Sequence, residues 1–258
     1  VDLTRQAKFE PADPKLLRAD AAGVVTAIGS GRTELLVRVD KLEVRIPVEI
    51  QDAESWAPVT FEQDIQPILT KTGCNAGTCH GKQRGQNGFQ LSLLGFDHNF
   101  DFDSLVREGR GRRVFPAAPA NSLLLLKATA STAHGGGKRI ASGGKHYNTL
   151  KRWIASGLPR TPPEAPTLLR VSVFPSERIM RPRTDQQLLV MAYYSDGSSI
   201  DVTRLAAYQS NESPIAKAGK EGLVQAGPLP GEAAIMTRYM GKFATCMNSI
   251  PLPGAVSY

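Results

Sequence analysis

The chain reads first as apolar and polar positions alternating over short runs, with turn residues between them. Leu35-Leu36-Val37-Arg38-Val39 and Leu188-Leu189-Val190-Met191-Ala192-Tyr193 are apolar-rich runs of strand length, and similar runs divided by Gly, Pro and Asp or Asn occupy both ends of the chain. The two ends also repeat each other. Asp2-Leu3-Thr4-Arg5 recurs as Asp201-Val202-Thr203-Arg204, with Ala7 opposite Ala206, Phe9 opposite Tyr208, Leu16 opposite Ile215, Gly23 opposite Gly222 and Ala27 opposite Ala226. One inserted residue later, Gly31 meets Gly231 and Leu35 meets Ile235. A ladder of short strands with frequent turn signals predicts a β-sandwich. The first copy lacks a counterpart of residues 168–200, so its opening strands are either missing or supplied otherwise, and an exposed edge would be a hazard.

Between the repeats the period changes to that of helices. Thr60 with Gln63 three residues on is a capping-box arrangement, and Phe61, Ile65, Ile68 and Leu69 then fall on one face. A second helix is expected from Ser122 through residues 123–127. A third is expected over about residues 145–156, with Tyr147, Leu150, Trp153 and Ile154 inward and Gly157 as the stop. Three short helices in about 100 residues make a thin core, which usually needs a staple. The candidate staple is Cys74-Asn75-Ala76-Gly77-Thr78-Cys79-His80.

Composition narrows the picture. A chain of 258 residues is expected to form two or three domains, and its 24 Gly and 18 Pro favour many turns and a β-rich fold. No apolar run approaches the ~20 residues needed to cross a bilayer. The net charge is +7, but residues 59–160 hold 14 Lys plus Arg against 6 Asp plus Glu, a balance of +8, so the remainder sums to −1. The basic middle would attract an acidic partner. A nucleic-acid reading is set aside because the basic residues lack interleaved aromatics or a reader motif. No carboxylate pair, nucleophile–base motif or phosphate loop is seen, so an enzyme is not expected. The chain opens at Val1 without Met and reads as a processed piece whose targeting segment would lie upstream.

Two cysteines followed at once by a histidine suit three chemistries: covalent haem, a local disulfide in an oxidising compartment, or zinc with a further His. The flanks carry a resemblance. Thr60-Phe61-Glu62-Gln63-Asp64-Ile65-Gln66-Pro67-Ile68-Leu69, Cys79-His80-Gly81, Ala117-Ala118-Pro119-Ala120-Asn121-Ser122-Leu123-Leu124 and Leu150-Lys151-Arg152-Trp153-Ile154-Ala155-Ser156-Gly157 together resemble the planctomycete-type cytochrome c domain. Four residues separate the cysteines here, where the standard motif has two. The end of the chain, through Tyr194-Ser195-Asp196-Gly197-Ser198-Ser199-Ile200-Asp201-Val202-Thr203 and Gly222-Leu223-Val224-Gln225-Ala226, resembles the bacterial immunoglobulin-like (group 2) domain, which implies a spacer without chemistry.

These resemblances imply a multidomain α+β fold: a partial immunoglobulin-like β domain over residues 1–52, a small, mostly helical cytochrome c-like domain over residues 58–160, and an immunoglobulin-like β-sandwich over residues 167–258. They imply one covalent haem c on Cys74 and Cys79 with His80 as proximal ligand. All five Met lie after residue 179, so His134 is the expected distal ligand, His146 the runner-up and His98 less favoured. Arg112, Arg113, Lys138 and Arg139 would pair with haem propionates, with a plain solvated basic face as the equal alternative, while Phe115, Trp153 and Ile154 would wall the ring. Cys246 reads as a buried free thiol. The expected function is electron transfer with an acidic redox partner protein, in the periplasm or outside the cell. The alternatives are a gas-binding haem with an open distal site, or a non-haem adhesive or structural module with a disulfide or zinc.

Overall fold

The computed structural model describes residues 2–252 apart from residue 56, so the expected end of the last β domain, residues 253–258, lies outside the described residues. The backbone divides into two compact units, Val1–Pro58 and Val59–Tyr258.

The first unit holds β1 (Lys8–Pro11), β2 (Leu17–Ala19), β3 (Val25–Ala27), β4 (Gly31–Val39) and β5 (Leu42–Ile50). Its main sheet runs β1-β4-β5, and β2 pairs with β3 as a separate hairpin. β4 and β5 pair without a slip from Gly31↔Ile50 to Val39↔Leu42. The period of two therefore sorts their side chains. Leu35, Val37 and Val39 share one face with Leu42, Val44, Ile46, Val48 and Ile50. The opposite face carries Arg38 at 2.9 Å from both Glu10 and Glu43, Arg45 between Glu34 and Glu43, and Arg32 at 3.3 Å from Glu49. Exposed pairs of this kind stabilise little individually. Their effect is to keep that face soluble.

The second unit begins with a wide turn, Phe61–Ile65, that runs into α1 (Gln66–Lys71). The expected capping box does not form. The backbone N–H of Thr60 donates to Asp64 Oδ2 at 2.8 Å, and Gln63 Nε2 donates to the Pro166 carbonyl at 3.1 Å. The first turn is wound as a π turn, which carries the third position outward and brings the fourth back over the start. Then follow α2 (His98–Val106), α3 (Leu123–Ala128) and α4 (Lys145–Ala155). α2 is absent from the sequence expectation. Asp97 caps it by accepting from the Phe100 N–H at 3.0 Å. Phe61 packs edge-on to Phe102 and tilted against Trp153, with ring centroids 5.2 and 5.7 Å apart.

The β part of this unit comprises β6 (Leu168–Phe174), β7 (Glu177–Ile179), β8 (Asp185–Gln187), β9 (Leu189–Tyr194), β10 (Ser199–Asp201), β11 (Ala207–Ser210), β12 (Ala216–Ala218), β13 (Leu223–Ala226), β14 (Gly231–Tyr239) and β15 (Lys242–Ile250). Its sheets run β10-β9-β6, β11-β14-β15-β7 and β12-β13-β8. β11 to β15 reproduce β1 to β5 strand for strand. β14 and β15 even share the register of β4 and β5, with Gly231↔Ile250 standing where Gly31↔Ile50 stands in the first copy.

The expected fold class needs correction. A helical cytochrome-like domain held between two immunoglobulin-like sandwiches is not what the chain forms. Strands dominate, and the four α-helices span only 6, 9, 6 and 11 residues. They share one compact unit with β6–β15 instead of standing apart. The short helices gather a buried cluster of their own, and a few contacts of single residues tie it to the β part. Leu205, just before β11, packs against both the helical core and the β core. Lys71, at the end of α1, donates to the carbonyls of Ala206 (2.6 Å) and Lys220 and lies 5.1 Å from the Tyr208 ring centre. Burial there pulls the Lys71 ammonium down to about 8, although Glu221 opposes the shift. Among the described residues no helix is long and apolar enough to cross a membrane.

Candidate functional site

The Cys74–His80 loop is built by the end of α1. Thr72 Oγ1 donates to the Ile68 carbonyl at 2.7 Å, and Gly73, at φ +75°, turns the chain out of the helix. Backbone bonds then knot the loop: Cys74 N to Leu69 O at 2.9 Å, Cys79 N to Ala76 O at 2.9 Å, His80 N to Cys74 O at 3.0 Å. Asn75 is fully buried and donates to Thr70 Oγ1 at 2.8 Å. Gly81 closes the loop so tightly that a Cβ there would lie 2.0 Å from the Asn75 carbonyl oxygen. Only glycine fits that position.

Both thiols are engaged by neighbouring groups. Cys74 Sγ lies 3.3 Å from Thr72 Oγ1, and Arg139 donates to Cys79 Sγ at 3.2 Å. Burial pushes the Cys74 thiol up, the Thr72 hydroxyl and the Arg139 charge draw it back, and Cys79 adds to the rise. His80 Nδ1 is 3.0 Å from the Phe89 carbonyl, and its ring centre is 4.5 Å from that of Phe89. Burial pulls the His80 imidazole below its usual value. The Phe89 carbonyl opposes this, while His134, Arg113 and Arg139 add to it. His134 Nδ1 is 2.8 Å from the Gly137 carbonyl, and its ring is parallel to that of His80 within 8° at 6.3 Å. A carbonyl can only accept, so in each neutral ring Nδ1 carries the proton and Nε2 keeps the lone pair.

The structure thus brings Cys74, Cys79, His80, His134 and Arg139 together. Arg113 stands close by, but as a structural group. It lies 4.7 Å over the Phe89 ring and donates to the carbonyls of Ser104 and Gly88. The remaining expected residues lie elsewhere. Arg112 and Lys138 are exposed, Phe115 is 48% exposed, and Trp153 and Ile154 are wholly within the core. His146 is half-buried towards Lys71, Lys145 and Glu221, with its imidazole pulled down by burial. His98 keeps its Nδ1 buried without a hydrogen-bond partner among the described residues. Cys246 is fully buried, as a free thiol.

This donor set does not fit covalent haem c, and that expectation is corrected together with the electron-transfer and gas-binding roles built on it. Among the described residues no three His, Cys, Asp or Glu side chains converge to hold a metal ion. Cys74 is turned inward onto Thr72, Cys79 is held by Arg139, and the side chains expected to wall a ring are split between surface and core.

Sequence reasoning also missed a buried polar cluster beside the loop. Asp101 of α2, with no exposed surface, accepts from Gln66 Nε2, from the Ser92 N–H and from Ser92 Oγ at 2.8 Å. Burial raises its carboxyl above the usual range despite these donors. The one available signal was the cap-and-spacing pattern of Asp97, Phe102 and Leu105, which marks the helix that carries it.

No protein-family model matches the chain, and no curated protein matches it. The expected layout of a helical cytochrome-like domain between two immunoglobulin-like domains is not upheld by the fold, in which the helices share one compact unit with β6–β15. Solved structures that match include surface-layer proteins. The S-layer protein rSbsC(31-844) is 11% identical at a TM-score of 0.31, over 98% of this chain and 21% of that one. Domains 1–6 of the surface layer protein SbsC are 10% identical at 0.30, over 99% and 21%. Domains 4 and 5 of the S-layer protein SbsC are 10% identical at 0.29, over 95% and 70%.

Proposed function

We propose that this chain is a non-enzymatic, non-haem structural module that works outside the cytoplasmic membrane, at the cell surface. The observation that carries the reading is the duplicated five-strand motif: β1–β5 and β11–β15 repeat the same pairing and register, as repeated spacer modules do. The polar groups of the helical part support it. Lys71, Arg113, Arg139 and Arg160 are spent on carbonyls, thiols and carboxylates of the same unit, where they fix geometry.

Cys74 and Cys79 act in this reading as the staple. Both are free thiols in the structure, held in one tight loop that the Cys79 N to Ala76 O and His80 N to Cys74 O bonds close. In an oxidising compartment the two thiols exchange with a small-molecule disulfide, which accepts two electrons and two protons and leaves as two thiols.

The partner in this reading is an acidic surface, such as an anionic envelope polymer. Lys82, Arg84, Arg110, Arg112 and Lys138 are all exposed on the basic middle segment. Protein-stripped cell envelopes are expected to retain the chain at low salt and release it at high salt, since exposed charges are screened beyond about 10 Å at 0.1 M ionic strength. Changing these five residues to Gln is expected to weaken retention at least tenfold in a sedimentation assay. Equal retention of the variant, or no retention of the native chain, would overturn the partner assignment.

A further inference from the structure

The two copies of the β motif differ in one respect. In the second copy, the β14–β15 face formed by Ala233, Ile235, Thr237 and Tyr239 with Cys246, Asn248 and Ile250 is buried. Above it lie Val171 and Val173 of β6 and Val190, Ala192 and Tyr194 of β9, in one continuous core. β7 adds a parallel strand along the outer edge of β15, and β8 pairs with β13. Everything that closes this copy comes from residues 168–201.

In the first copy the same face, in the same register, lies open. Leu42, Val44 and Ile46 are 69, 58 and 43% exposed on β5, whereas Cys246, the counterpart of Ile46, is 0% exposed. The hairpin β2–β3 covers only the β4 side, where Leu17 and Leu35 are buried. The edges of β5 and β3 that β7 and β8 occupy in the second copy carry no strand among the described residues. Leu42, Val44 and Ile46 alternate with Glu43, Arg45 and Pro47, so the apolar row is one face of a regular strand. A contiguous bare row of this kind marks a surface built to be covered.

We propose that this face is the docking surface for a strand segment patterned like residues 168–201 and supplied by the same polypeptide N-terminal to Asp2. The repeat argues for that source. Asp2 aligns with Asp201, and in the second copy the covering strands stand immediately before Asp201. A segment in the same place reaches the first copy's face by the path that β6–β10 already follow. Docked there, it would place a parallel strand on β5, an antiparallel strand on β3 and a three-stranded sheet over Val44 and Ile46, completing a second sandwich.

The test compares Val1–Tyr258 with the same chain extended through its natural upstream residues, each carrying Val44→Cys. Maleimide labelling is mapped to the peptide holding residue 44, and mass is followed by light scattering. The expected result is fast labelling in Val1–Tyr258 and labelling slowed at least tenfold in the extended chain, with both chains monomeric. Equal labelling in the two would overturn the proposal. So would slow labelling of Val1–Tyr258 at the mass of a dimer, because a second copy would then be the cover. A Val44→Ser chain, followed by hydrogen exchange of the β4–β5 amides, gives the same comparison if the cysteine variant fails to fold. Extension is expected to slow exchange there, and unchanged exchange would again overturn the docking.

Discussion

Trp153→Ala is expected to lower the stability of the Val59–Tyr258 unit by about 3–5 kcal/mol, the range for truncating a large buried aromatic side chain. Trp153 is the largest fully buried side chain among the described residues, and it joins the α4 helix to the rings of Phe61 and Phe102. Its indole Nε1 also donates to the Pro159 carbonyl at 3.0 Å, next to the bond that Phe61 N makes to the same carbonyl. Alanine would leave a void between the wide first turn and α4, and short helices have little else to lean on. Trp153→Phe separates the two contributions. It keeps most of the apolar contact and loses the hydrogen bond, for a cost nearer 1 kcal/mol plus the missing ring volume. Urea unfolding followed by far-ultraviolet circular dichroism measures both. If Trp153→Ala costs less than about 1 kcal/mol, the helices do not share the core described here.

Asp101→Ala is expected to cost about 3 kcal/mol or more, since it leaves three donors unpaired at about 1–3 kcal/mol for each buried group. Those donors are Gln66 Nε2, the Ser92 N–H and Ser92 Oγ. Asn is the informative partner substitution, because it keeps the size and one acceptor oxygen but cannot titrate. The sign of the pH effect follows from the raised carboxyl. A group whose folded pKa exceeds its unfolded value binds more protons in the native state. Its contribution is fully present below the ordinary carboxylate value and is lost as pH rises through the folded one. The native chain should therefore gain stability relative to Asp101→Asn on acidification towards the ordinary carboxylate range. A flat difference between the two across that range would show that Asp101 stays ionised.

Much of the β architecture was legible in the sequence. The repeat of Asp2-Leu3-Thr4-Arg5 in Asp201-Val202-Thr203-Arg204 located two sets of strands, because a period of two and glycine turns are local signals. The alignment of Gly31 with Gly231 agrees with the common register of β4–β5 and β14–β15. The positions of α3 and α4 were legible as well, since Leu150, Trp153 and Ile154 lie at helical spacing. α2 was not, because Asp97, Asp101 and Asp103 mask an apolar face of only two or three residues. The union of the helices with β6–β15 in one unit was not legible for a different reason. Whether short helices close on themselves or on a neighbouring sheet depends on long-range contacts such as those of Lys71 and Leu205, which no local pattern encodes. The Cys74–His80 motif was legible as a constellation, and the loop does gather its cysteines and His80 with His134. Its chemistry was not legible, because the partners of each sulfur, Thr72 and Arg139, are set by the tertiary fold.

The most direct test of the central claim, a structural module stapled at Cys74 and Cys79 with no prosthetic group, is the intact mass of the chain secreted through an oxidising compartment, taken under denaturing, non-reducing conditions beside its absorption spectrum. The account predicts a mass below that of the fully reduced polypeptide by two hydrogen atoms, with the lost hydrogens mapped to Cys74 and Cys79 and no absorption band in the visible. A mass above the polypeptide, accompanied by a visible band, would contradict it.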